Sequence, residues 1–414
     1  MNQKIELVNL TTNNMSNFRC ESDVILSPGY FLAVEFMKKC SFLHRYPILK
    51  IKSSLTESSQ YLDSVVNNGK SKLWINLASH SGISLKELSF FAKDFLLTSS
   101  CAELIYFPQI DLNKHKILIL APHPDDPEVS SYSIYTSYPQ STVIVTITDG
   151  LNTANRNFIL TSQRVIESLT IPQFNGISFR NTINLAYPDG NLKILYENYR
   201  TSPMDKKSSR FNEYRNLNVS PYMPTNSIGP CWISLINDLV QIIQSYKPTI
   251  IITPHPLIDS HFDHVFTTLA LDEALQICDY FPSAILTTFV HNKITELYPF
   301  GPHNSEISLP PFPQHFNNIQ LFDSVQVAFC SEDLNHLKFR AMEAHSDLRT
   351  IRFPIYPTFS SAFLQLKIAA YNSLLFHPNS PPNSLFRRFI RPHELFLTIT
   401  SSATFQNICQ HAKN

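Results

Sequence analysis

From Lys116 onward the chain alternates between short unbroken apolar runs, rich in β-branched residues, and longer stretches whose apolar positions recur at helical spacing. The runs are "KILILAP", "STVIVTITDG", "PTIIITPHP" and "AILTTFVHN". Continuous apolarity over so few residues predicts strands buried on both faces. Between them, Trp232, Leu235, Ile236, Leu239, Val240 and Ile243 fall on one helical face, and "HVFTTLALDEALQIC" and "SEDLNHLKFRAMEAH" follow the same rule. Strand and helix in alternation predict an α/β fold with a mostly parallel sheet flanked by helices. Open sheets of that class bind ligands beyond the carboxyl ends of their strands, and each run here ends in polar residues.

Residues 1–110 have a different texture. "YPILKI" and "LWINL" read as strands, and Ser84 with Glu87 offers a capping box for a helix reaching about Leu97. We therefore expect an N-terminal accessory α+β region over 1–110 and the principal domain over 111–414. Residues 200–230 carry Lys206, Lys207, Arg210 and Arg215 among several prolines, which predicts a loop with solvated charge. Residues 299–316 are Pro-rich and read the same way.

Composition narrows the function. The 414 residues allow one large domain with additions, or two domains, and 43% hydrophobic with 16% charged residues describes a chain that folds. Lys plus Arg and Asp plus Glu stand at 33 each, so no global field draws the chain to nucleic acid or an anionic surface. Seven scattered cysteines without C-x-x-C spacing read as reduced core thiols and lead us to expect a cytoplasmic protein. No leader pattern opens the chain, and no stretch approaches the roughly 20 apolar residues of a membrane span. With 8 glycines and neither G-x-G-x-x-G nor G-x-x-x-x-G-K, phosphate-cradling loops are nearly excluded.

Two polar clusters remain to be explained. The first, after "KILILAP", is His123, Pro124, Asp125 and Asp126; the second, "PHPLIDSHFDH", supplies His255, Asp259, His261, Asp263 and His264. Carboxylates at the mouth of an apolar strand need compensation by a cation, a proton or solvent. Zinc takes imidazole nitrogen and carboxylate oxygen, and a catalytic site keeps one position for water. Two adjacent aspartates then suit a ligand and a base. Each cluster also has a plainer reading: Asp126 capping a helix with Pro127 at its first position, and His261 with His264 on the polar face of a helix start. Both clusters at strand ends of one sheet favour the metal.

"APHPDDPE" resembles the A-H-P-D-D-x-E signature of the PIG-L/LmbE-like zinc-dependent de-N-acetylases, and "PHPLIDSHFDH" resembles their H-x-D-H signature. That family includes the deacetylase of N-acetylglucosaminyl-phosphatidylinositol and enzymes acting on mycothiol and bacillithiol precursors. The likeness runs over about residues 116–350, through "TDG", "QRVIES", "YPDG" and "KFRAMEAHSD". It implies a Rossmann-like fold and a hydrolase removing the N-acetyl group of an amino sugar or its conjugate. By the same likeness His123, Asp126 and His264 are the zinc ligands, although such a site accepts other divalent metals. Asp125 is the implied general base, His261 steadies the oxyanion or protonates the amine, and Asp263 orients an imidazole. Arg164 and Asp189 match sugar-contacting positions, while Arg164 with Glu167 also suits a salt bridge and Asp189-Gly190 an ordinary turn. His291 is expected at the same cleft, and His345 and His393 are expected to be structural. Three departures stand out: Leu151 where relatives carry glutamate, the bulky "VSSYSIY" in place of a glycine-rich stretch, and the accessory region itself. The expected partner is a small-molecule amino-sugar or glycoconjugate substrate, with oligomeric state open. An amidase acting on other amide conjugates, and a non-catalytic sugar-binding protein with a vestigial site, are the rival readings.

Overall fold

A computed structural model describes residues 4–14, 16–38, 47–62, 70–151, 158–204, 210–295, 298–303, 305–310, 312, 319–346, 348 and 385–413. Lys206, Lys207 and the last residue of "KFRAMEAHSD" lie outside them. Two sheets divide the described chain. The first uses β1 (Lys4–Asn14), β2 (Asn17–Cys20), β3 (Tyr30–Lys38), β4 (Ile48–Lys52), β5 (Glu57–Tyr61), β6 (Lys70–Asn76), β7 (Ser89–Lys93), β8 (Phe95–Leu97) and β9 (Cys101–Tyr106). It is antiparallel, ordered β5-β4-β7-β2-β1-β9-β3-β6, with β8 on β3.

The helix expected after Ser84 is absent: a single 3₁₀ turn at Leu85–Glu87 gives way to β7 and β8, and the Ser84 side chain makes no cap bond. The reason is the period. Leu88 and Phe90 are buried while Ser89 and Phe91 face outward, and Phe95 and Leu97 repeat the alternation, so spacing two outweighs the capping signal. The described residues of this region hold strands and 3₁₀ turns, which corrects the expected α+β character to β.

The second sheet follows the expected runs: β10 (Ile117–Ala121), β11 (Thr142–Thr148), β12 (Thr182–Tyr187), β13 (Ile250–Pro254) and β14 (Ala284–Thr288), joined by β15 (Ser324–Phe329) and β16 (His393–Ile399). Its order is β12-β11-β10-β13-β14-β16-β15; the first five strands are parallel, and β16 runs antiparallel to both of its neighbours, β14 and β15. The architecture is thus mixed α/β with one partly parallel sheet. Alternate residues feed opposite faces, as the pleat requires. Leu118, Leu120, Val143 and Ile251 pack with α3 (Phe158–Thr170), α6 (Trp232–Tyr246), α7 (Phe262–Cys278) and α9 (Ser402–Ala412). Ile117, Ile119, Ile144 and Ile250 pack with α2 (Tyr132–Ser137) and α8 (Glu332–Ala344). Short helices α1 (Asp126–Ser130), α4 (Leu192–Asn198) and α5 (Phe211–Arg215) complete the set.

Arg215 corrects the loop reading of 200–230. It lies in α5, buried, with Nη1 donating to Asp238 Oδ2 at 2.8 Å while Tyr187 Oη donates to the same oxygen. Its charge is paired internally, not solvated.

The two sheets meet through Phe31, Ile105 and Phe107 on one side and Tyr298, Phe300, Val325, Val327 and Leu397 on the other. Polar bonds cross the same contact: Asn76 Nδ2 lies 2.6 Å from His393 Nε2, and the buried Glu306 accepts from Gln60 Nε2 at 3.1 Å. Burial pushes the Glu306 carboxyl from 4.5 up to about 7. A value raised on folding stabilises fully below pH 4.5, and that contribution is lost as pH rises through about 7. Glu306→Gln removes the dependence. Its unfolding free energy in urea, relative to the parent, should rise by up to ~3 kcal/mol as pH passes from below the ordinary carboxyl range to above the shifted one; a difference that stays flat with pH contradicts a carboxyl buried in its neutral form.

Candidate metal centre

The order of the parallel strands reverses between β10 and β13, and a crevice opens there at the carboxyl ends. His123, Asp125 and Asp126 leave β10 at this point; His261 and His264 enter α7 shortly after β13. A close backbone approach helps. Gly150, with φ +71, brings its Cα so near Pro124 that a Cβ would stand 2.4 Å from the proline ring. On the neighbouring strand β12 a bulge pairs Thr146 with Asn184 but Thr148 with Tyr187, and Ala186 takes φ 58. Such bulges re-aim the chain beside functional sites, and here the next turn carries Asp189.

Three atoms converge in the crevice. His123 Nδ1 and His264 Nε2 are 3.2 Å apart, and each is 3.4 Å from Asp126 Oδ2. Ligand atoms around a tetrahedral zinc bound at about 2.0–2.1 Å are ~3.3 Å apart, so the triangle has the edge lengths of three such ligands. His261 belongs to the same group: His123, His261 and His264 each present a nitrogen within 4.8 Å of the others. The capping reading is corrected in register: Asp125, not Asp126, stands at the N-cap of α1, without a side-chain cap bond, while Asp126 is the first helical residue, ahead of Pro127, and its carboxylate accepts the backbone N–H of His123 at 2.8 Å.

The far nitrogens of the two imidazoles are held by carboxylates. His264 Nδ1 lies 2.9 Å from Asp259 Oδ2, which also accepts the backbone N–H groups of Val290 at 3.0 Å and His291 at 3.2 Å. His123 Nε2 faces Asp189 Oδ1 at 3.2 Å and Asp263 Oδ2 at 3.4 Å. Asp263 is fixed in turn by the N–H groups of Gly190 at 2.6 Å and Leu192 at 3.0 Å. A carboxylate on the outer nitrogen sets the tautomer and turns the lone pair of the inner one toward the crevice, the arrangement that supports metal-binding histidines. Burial opposes ionisation of Asp126, but His264 and His123 hold it well below the usual carboxylate range.

His261 caps α7, its Nδ1 accepting the N–H of Asp263 at 3.2 Å, which leaves Nε2 as the protonated nitrogen. Burial foremost, then the neighbouring imidazoles, push its pKa down to about 4. His291 packs against it at 5.4 Å between ring centroids. Arg164, expected at a sugar, is 4% exposed; its Nη2 donates to Asp125 Oδ1 at 2.9 Å and its Nε to the carbonyl of Gly150 at 3.3 Å. His255 is buried on the carbonyl of Leu321 at 3.0 Å, and His393 lies at the contact between the sheets. Sequence reasoning left Asp259 and Glu128 without a role and expected His345 to be structural; His345 Nε2 lies 2.9 Å from Glu128 Oε2. Asp259 had one signal, its place inside the second cluster between apolar Ile258 and two histidines.

The donor set fits a divalent ion. Asp125, Asp126, Glu128, Glu167, Asp259 and Asp263 are all buried, and the buried guanidinium of Arg164 pairs with Asp125 and Glu167. Crevice and donors define an α/β protein with a His/Asp group able to hold a metal. Residues 118–275 match the model of the PIG-L family, GlcNAc-PI de-N-acetylase, and the chain carries a PIG-L domain over that span. The family is one of deacetylase-type hydrolases with small sugar-type substrates. No curated protein matches the sequence. Among solved structures the chain is similar to the conserved protein TT1542 from Thermus thermophilus at 14% identity, covering 68% of this chain and 94% of that one with a TM-score of 0.34. It is also similar to GalB, the 4-carboxy-2-hydroxymuconate hydratase from Pseudomonas putida, at 10% identity, 69% and 97% coverage and a TM-score of 0.34. Likeness at that level does not bear on activity. Among the described residues no helix is long and apolar enough to cross a membrane.

Asp259→Asn keeps an acceptor for His264 but removes its charge. Affinity for Zn²⁺, read by competition with a chromophoric chelator, should fall about 10- to 100-fold; an unchanged affinity separates Asp259 from metal binding.

Proposed function

We propose that the chain is a zinc-dependent N-deacetylase that hydrolyses the acetamide of an acetylated amino sugar or its conjugate. The observation that carries the reading is the triangle of His123 Nδ1, His264 Nε2 and Asp126 Oδ2, with Asp125 next in sequence and paired to Arg164. We read the β12-β11-β10-β13-β14 order as Rossmann-like, with residues 111–414 as the catalytic domain and 1–110 as its accessory. When bound, zinc supplies Lewis acidity, polarising an amide carbonyl and making water acidic enough to attack near neutral pH.

The chain's own residues do the rest. Asp125 accepts the proton of the attacking water on its carboxylate. Held ionised by Arg164 against the opposing effect of burial, it is ready to do so across the neutral range. His261, neutral and with its proton on Nε2, donates a hydrogen bond to the oxygen that gains charge as the carbonyl is attacked. Asp263 holds the outer edge of His123, and Asp259 that of His264. Asp189 and His291, both partly exposed, are placed to meet substrate hydroxyls. Arg164 is too enclosed for a sugar contact and acts on Asp125 instead.

Two variants test the reading on metal-reconstituted protein, with acetate release from a panel of N-acetylated amino sugars as the assay. Asp125→Asn should cut turnover by about 10²- to 10⁴-fold while the bound metal, measured by elemental analysis, stays at parent level. His264→Ala should lose the metal itself. Full activity in the Asp125 variant rejects the base, and failure of the parent to release acetate or a larger acyl group from any amide rejects the hydrolase.

A further inference from the structure

Behind Asp125 the buried side chains close into a ring. Asp125 Oδ1 accepts from Arg164 Nη2 at 2.9 Å, and Arg164 Nη1 lies 3.4 Å from His345 Nδ1. His345 Nε2 meets Glu128 Oε2 at 2.9 Å. Glu128 stands three positions after Asp125, on the turn that also carries Asp126, so the path returns to where it began. His345 and Glu128 are 0% exposed and Arg164 4%. Arginine has only donors, so the His345 nitrogen facing it presents a lone pair, and the other nitrogen carries the proton given to Glu128. Glu128 Oε1 is filled separately by the Tyr135 hydroxyl at 2.8 Å. Glu167 Oε2 takes Arg164 Nη1 at 3.4 Å and the N–H and hydroxyl of Ser346, each at 3.2 Å, which ties the end of α8 to α3.

We propose that His345 and Glu128 are positioning residues for the reaction: acting through Arg164, they fix the direction of the Asp125 carboxylate. The inference rests on the reading of Asp125 as base. Neither residue reaches substrate, and their effect is geometric. Arg164 alone could rotate about its side-chain torsions; bonded on Nε by Gly150, on Nη1 by Glu167 and His345, and on Nη2 by Asp125, its plane has one orientation. A guanidinium plane fixed in this way holds the carboxylate that it faces in one rotamer, which a general base needs to within a fraction of an ångström.

The test compares His345→Ala, His345→Gln and Glu128→Gln in full-length, zinc-reconstituted protein. The alanine and Glu128 variants should keep parent zinc content and a KM within about threefold, while kcat falls about 10- to 100-fold, the range typical of residues that support a metal site from behind. Gln places an amide nitrogen near the Nε2 position, so His345→Gln should recover most of the loss. Crystal structures of the zinc-loaded variants read the same point without turnover: Asp125 should leave its Arg164 partner in His345→Ala and keep it in His345→Gln. If the alanine variant does not fold, Glu128→Gln, which preserves shape, carries the comparison. Parent-level kcat, or an Asp125 carboxylate unmoved in the variants, overturns the positioning role. So does loss in step with zinc content, or an equal loss in the glutamine variant. A parent that is itself inactive on every amide counts against the proposed function alone, because the crystal structures still decide the ring.

Discussion

Compensation of buried negative charge is the constraint on which this structure turns. Six carboxylates, Asp125, Asp126, Glu128, Glu167, Asp259 and Asp263, are withdrawn from water on the elements around the reversal point of the sheet. An isolated carboxylate in such surroundings would take up a proton, and Arg164 answers only for its immediate neighbours. The remainder is met by imidazoles: His264 on Asp259 and Asp126, His123 on Asp126 and Asp263, His345 on Glu128. That arrangement leaves two imidazole nitrogens and one carboxylate oxygen aimed at a common point, a group able to hold a metal.

Much of this was legible in the sequence because the requirement itself is written there. Buried strands of a parallel sheet must be apolar on both faces, so "KILILAP" and "PTIIITPHP" announce themselves, and the polar residues that follow them stand where such sheets place ligands. What could not be read were pairings between distant positions. Glu128 and His345 meet across 217 positions, and Arg215 finds Asp238 from within a segment whose prolines and charges suggest open loop. The misread helix after Ser84 has a different cause: the local capping pattern was real, but sheet pairing of Phe90 and Phe91 with the neighbouring strands buries more surface than an isolated turn.

The N-terminal antiparallel sheet touches the second sheet on its antiparallel side, away from the reversal point. Its aromatic residues Phe31 and Phe107 pack on Tyr298, Val325 and Leu397, and Gln60 and Asn76 bond to Glu306 and His393. The segment they hold, Tyr298 to Leu309, continues the chain that leaves β14 through His291. Asp259 bonds the N–H groups of Val290 and His291, so the chain that follows β14 is fastened at two places, first at the His/Asp group and again at the N-terminal sheet.

The bulky "VSSYSIY" stretch links the core to the site. Small residues after the first signature would let helix and sheet approach closely; Tyr132 and Tyr135 instead fill the layer beneath β10 and the chain breaks at Ser131 into α1 and α2. Neither phenol is idle, since Tyr132 donates to Asn175 at 2.6 Å and Tyr135 to Glu128 at 2.8 Å. A buried hydroxyl must find a partner, and a buried carboxyl group such as that of Glu128 needs more than one. Tyr135 therefore couples the packing of the sheet to the ring that ends on Asp125: a bulky residue of this stretch supplies the second bond that Glu128 requires once it is withdrawn from water.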